Sequence, residues 1–239
     1  MASERVHNPV RALLLAAVAV LSFCPQPRSM ADDSTLDRPV RPFYSNNENV
    51  YDAMLRFGRE NKIPIGLVFR HRLCSTKLGQ LSIENTSARS VIQELTQEVP
   101  SYSWKFEDET VIFLPDDIPA ATSSFLELRV PDYSIPEGTL QAQVAFAWMN
   151  VKASLRPYEG TAFSILSSTQ SVKWPSLTLN NLNVEQVLDH LIARKEGGAW
   201  ILFPFDDLDK AADNLPFWVT GYSDDPQGQT TAPCIRPEA

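Results

Sequence analysis

Catalysis needs titratable or nucleophilic side chains gathered in a cleft, and this chain offers few of them. Of its three histidines, His7 lies in the N-terminal run, His71 stands between Arg70 and Arg72, and His190 follows Asp189. Neither His71 nor His190 belongs to a spacing that supplies a full set of metal ligands. The carboxylate pairs Asp116-Asp117, Asp206-Asp207 and Asp224-Asp225 sit near prolines in loop-like sequence. They read as solvated charge, because a catalytic acid–base pair requires an environment that drives its two pKa values apart. The chain has no glycine-rich phosphate loop and no Gly-x-Ser-x-Gly elbow. The expectation is no catalytic, cofactor or metal site.

The elements that would position any such residues are organised by a repeat. LSIENTSARSVIQEL, residues 81–95, returns as LTLNNLNVEQVLDHL, residues 177–191. Leu81/Leu177, Asn85/Asn181, Val91/Val187 and Leu95/Leu191 are identical, and Ile83/Leu179 and Ile92/Leu188 are both apolar. In each copy two apolar residues two apart describe one face of a short strand. Asn85 or Asn181 suits a left-handed turn. Ser87 and Asn183 occupy N-cap positions, and Gln186 adds a capping-box partner to Asn183. A stripe at helical spacing follows: Val91, Ile92 and Leu95, or Val184, Val187, Leu188, Leu191 and Ile192.

The N-terminus reads as an export signal. Arg5 and Arg11 precede an apolar run over residues 12–23, about half of the roughly 20 residues a bilayer span requires. Small residues at Ser29 and Ala31 fit cleavage between Ala31 and Asp32. Lipid attachment at Cys24 or an uncleaved anchor are the competing readings. Removing residues 1–31 takes away Arg5, Arg11, Arg28 and Glu4, so the net charge moves from −8 to −10. Such a surface repels phosphate backbones, which excludes nucleic acid as an expected partner. Cys74 and Cys234 then remain, an even pair that an oxidising compartment can bridge. Two free thiols are the alternative.

In chain order, residues 38–115 read as a first short α/β unit. Its parts are a helix with Val50, Ala53, Met54 and Phe57 on one face, a buried strand over residues 65–69, a polar loop, the first repeat copy, and a hairpin through Tyr102, Trp104 and Phe106. Residues 116–124 have the composition of a linker. A second unit, 125–205, is expected to open with a strand carrying Phe125, Leu126, Leu128 and Val130. A helix through Leu140, Val144, Ala147, Trp148 and Val151 follows, then a strand near residues 162–166, the second copy, and a strand at Trp200. Residues 206–239 are acidic and contain Pro and Gly, and read as a largely disordered tail. Within it Leu215, Phe217, Trp218 and Val219 form an isolated apolar cluster that either folds back or docks a partner.

The run Ile135-Pro136-Glu137-Gly138-Thr139-Leu140, followed by a helix and the second copy, resembles the short N-terminal domain of secretins and TonB-dependent transducer receptors. Residues 49–69, 79–95 and 102–114 look like a more divergent copy. The resemblance implies an α+β fold of two small βαβ-βαβ units, each with two helices between small sheets. It also implies a periplasmic or secreted, non-catalytic module that docks an envelope protein of a secretion or signalling system, although no barrel or pore sequence follows Phe205. A hydrolase or small-ligand-binding protein with a site between the two units, near Arg156, Tyr158 and Glu159, is the alternative; an assembly component of a secretion or pilus system is a third.

Overall fold

The computed structural model describes residues 33–84, 86–155, 173–194, 197–208, 216–222 and 234. After a 3-10 turn (Asp33–Asp37), strand β1 (Phe43–Asn46) leads into helix α1 (Val50–Asn61). Asn49 caps that helix, its side chain accepting from the Asp52 N–H at 2.8 Å, and Lys62 ends it in the left-handed region at φ 55. Strand β2 (Ile65–Val68), the short helix α2 (Arg72–Ser75), strand β3 (Gln80–Ile83) and helix α3 (Ala88–Gln97) follow. The hairpin is β4 (Tyr102–Glu107) and β5 (Thr110–Pro115), joined through Asp108 and Glu109 at φ 47 and 64. Positive φ at both centres is the two-residue turn whose twist suits a hairpin.

The next segment corrects the expected linker and strand. Residues Ala120–Glu127 form helix α4, with Pro119 at its N-cap. The apolar residues 125, 126, 128 and 130 suggest a strand, but Phe125 and Leu126 are adjacent on a helix that buries them both together with Thr122. Strand β6 (Tyr133–Ile135) therefore opens the second half. Helix α5 (Leu140–Leu155), strand β7 (Leu177–Leu179), helix α6 (Val184–Ile192), and strands β8 (Gly198–Leu202) and β9 (Phe217–Gly221) complete the chain. The strand expected near residues 162–166 lies outside the described residues.

The repeat occupies like surroundings twice. Strand β3 pairs antiparallel with β1, Phe43 opposite Ile83, and β7 pairs antiparallel with β6, Tyr133 opposite Leu179. The backbone bonds that enter each helix also match. Val40 N–H donates to Thr86 O (3.1 Å) and Val130 N–H to Leu182 O (2.9 Å); Ala88 N–H donates to Arg38 O (3.4 Å) and Val184 N–H to Leu128 O (3.0 Å). Asn181 adopts the left-handed turn at φ 52, and the capping box of Asn183 and Gln186 is present. Asn85 lies outside the described residues.

The α+β class holds, but the strands do not divide into two separate units. Five of them make one sheet in the order β4-β5-β2-β8-β9, in which β2 of the first half runs parallel to β8 of the second, Gly66 opposite Trp200. Ile65, Leu67, Val111, Phe113, Ala199 and Ile201 face the core built with α1 and α3. Val68, Ile112, Trp200, Leu202, Phe217 and Val219 face the core built with α4, α5 and α6. The physical reason lies in β2 and β8 themselves. Each is buried at every position, and unbroken apolar runs need cover on both faces. Each half's helices supply the cover that the other half's strands require. All described residues belong to one compact unit.

Candidate functional site

The sheet ends in β4 on one side and β9 on the other, and the edge flanked by alternating aromatic and charged residues is the outer one of β4. Its register places Trp104 opposite Phe113 and Phe106 opposite Val111. Asp116 N–H donates to Ser101 O (2.9 Å), whereas Val111 N–H turns to Pro64 O (3.0 Å) on the β2 side. Antiparallel pairs alternate between bonded and unbonded positions, so Ser103, Lys105 and Glu107 bond to β5. Trp104 and Phe106 direct their backbone N–H and C=O groups away from the sheet. Tyr102 would do the same, but its N–H is taken by Val99 O at 2.9 Å. Among the described residues no strand pairs with this edge. Such an edge is a template for an added strand.

Beside the edge lies a charged seam that joins the two halves. Lys105 Nζ on β4 meets Glu107 at 3.1 Å and Glu185 of α6 at 2.5 Å. Gln186 Nε2 donates to Asp108 in the hairpin turn at 3.4 Å. One turn further along α6, Asp189 is fully buried, and its Oδ1 accepts from Trp200 Nε1 at 2.7 Å while Oδ2 has no partner. Burial pushes the Asp189 carboxyl well above the usual carboxylate range; the Trp200 bond opposes this, and the Glu185 and Asp108 charges add to it. Burial likewise raises Glu185, with Lys105 pulling the other way. Burial disfavours the Lys105 ammonium, but its bonds to Glu185 and Glu107 outweigh that and raise it. Sequence reasoning missed this seam. The available signal was Glu185 and Asp189, four apart on the apolar face of α6.

The residues singled out from the sequence are scattered. His71 is exposed at the entry to α2, and its side chain caps nothing. Cys74, three residues later, is bonded to Cys234 with Cα atoms 5.4 Å apart, so the bridged reading of that pair is the one found. His190 lies on α6, where its carbonyl accepts from Arg194 Nε at 3.1 Å. Asp117 holds Arg72, the first residue of α2, at 2.8 Å and Arg70, just past β2, at 3.6 Å, while Asp206 and Asp207 are exposed. Among the described residues no three His, Cys, Asp or Glu side chains gather as metal ligands.

Of the two readings of the tail's apolar cluster the fold-back is the one found and docking is not, and over Phe217–Gly221 the expected disorder is corrected. Phe217 pairs with Leu202, Trp218 with Ile201 and Val219 with Trp200, which makes the segment the fifth strand of the chain's own sheet. Its cause is the period-two burial of Phe217 and Val219, at 2% and 6% exposure, against α5 and α6. Leu215 lies outside the described residues. So do Ala31 and Asp32 at the expected cleavage point, the pair Asp224-Asp225, and Arg156, Tyr158 and Glu159.

No protein-family model, curated protein or solved structure matches this chain. No helix among the described residues is long and apolar enough to cross a membrane.

Proposed function

We propose that this is an exported, non-catalytic protein-interaction module of the cell envelope, comparable in role to the periplasmic docking domain of secretins and transducer receptors. The observation that carries the reading is the outer edge of β4, where Trp104 and Phe106 leave backbone donors and acceptors unpaired beside half-buried aromatic rings. Aromatic side chains of this kind dominate interface energetics. The duplicated strand–cap–helix unit supports the family comparison, and a Cys74–Cys234 bridge is what an oxidising compartment permits. The partner belongs to a secretion or signalling system in this reading.

Crosslinking mass spectrometry in the native envelope tests it. Links to another envelope protein should map to residues 101–107 and vanish when Phe106→Pro removes an outward N–H that β5 does not use. Links that map elsewhere, or that survive this substitution, reject β4 as the docking edge.

A further inference from the structure

The side chains around the open edge specify what can lie along it, and this inference rests on the proposed docking role of β4. Trp104 and Phe106 alternate with Lys105 and Glu107, so the two faces of an added strand would meet different surroundings. On one face the aromatic rings join the core under α1 and α3. On the other face Glu107 and Glu185 share the single ammonium of Lys105, Asp108 accepts from Gln186 beside them, and Glu109 completes the turn. Lys105 is already shared between Glu107 and Glu185, so the carboxylates keep an unmatched negative charge at the mouth of the edge. A second copy of this chain brings the same acidic balance, net −8, and so does not supply what is missing.

From this we infer that the occupant of the edge is an extended segment of another protein in which apolar residues alternate with lysine or arginine. Its backbone pairs with Trp104 and Phe106. Its apolar side chains continue the aromatic face, and its cations sit against Glu107, Asp108 and Glu185. Charge complementarity of this kind selects partners and speeds encounter, and it weakens with salt.

The full chain and two synthetic peptides of about ten residues test the inference, one alternating valine with lysine and the other valine with glutamate. The basic peptide should bind about tenfold or more tighter, lose that advantage at high salt, and slow amide exchange at Trp104 and Phe106. The pair Glu107→Lys and Asp108→Lys, at half-buried positions of the hairpin end, should reverse the preference, with the circular dichroism spectrum checking that the variant folds. Equal binding of the two peptides overturns the inference, as does self-association of the chain through β4. If neither peptide protects Trp104 and Phe106 while envelope crosslinks to residues 101–107 persist, the partner chemistry is wrong and the docking role stands. If those crosslinks are also missing, both fall.

Discussion

The contact between Trp200 and Asp189 joins burial to ionisation at a single pair of side chains. An acid with a raised folded-state pKa contributes stability that is complete below its unfolded value, roughly 3.9 for Asp, and is lost as pH rises through the folded-state value. Chemical denaturation followed from acid to alkaline pH should therefore show stability falling as pH climbs. Asp189→Asn should flatten much of that slope, since the amide oxygen still accepts from Trp200 Nε1, and Glu185→Gln should remove a further part of the same sign. Asp189→Ala instead orphans the buried indole N–H and should cost about 1–3 kcal/mol. Gly66 belongs to the same spot: a Cβ there would lie 2.4 Å from the Trp200 ring. Gly66→Ala should thus destabilise by at least about 1–3 kcal/mol, read from the denaturation midpoint. The sequence offers a signal for the buried acids in the spacing of Glu185 and Asp189, but none for Gly66 and Trp200, which meet only through the pairing of β2 with β8.

At the scale of elements, legibility follows the range of the cause. The caps were readable because their partners stand three residues away: Asn183 accepts from Gln186 N–H at 2.9 Å and Gln186 Oε1 accepts from Asn183 N–H at 3.2 Å. Asn183→Ala should cost about 1 kcal/mol and loosen the first turn of α6. Ser87→Ala, where the single cap bond to Ser90 N–H is 3.3 Å, should cost less, and thermal melts of the two variants compare them. By contrast α4 overturns the expected linker, and β9 stands as an ordered strand where a largely disordered tail is expected. Helix α4 is held by Thr122, whose hydroxyl donates to Phe205 O and accepts from Phe205 N–H, each at 2.8 Å. Strand β9 is held by β8. Composition alone shows neither of these distant partners, so a proline-flanked Ala-Ala run reads as a linker, and the apolar island reads equally as folding back or as docking, with the strand that receives it left unnamed.

For the whole molecule the question is whether the duplicated halves can live apart. The Cys74–Cys234 bridge closes a loop with a sequence separation of 160, for which chain-entropy reasoning gives about 5 kcal/mol. Cys74→Ser should lose stability of that order in denaturant, while Tyr222, whose buried hydroxyl donates to Ile63 O at 2.9 Å, still ties the end of β9 to the turn before β2. Cutting the chain between halves is a harsher test. A fragment of residues 38–115 would uncover Val68 and Ile112, both fully buried against the second half's helices, and residues 116–222 would lose the parallel partner of β8. The pattern of two copies invited a reading of two independent domains, because periodicity reports that a strand is buried but not which helices bury it. Neither fragment should fold alone by circular dichroism, and mixing them should restore the near-ultraviolet signal of Trp200. Two independently folded fragments that ignore each other would show that the shared sheet is dispensable and that the stacking of the halves carries little of the stability assigned to it.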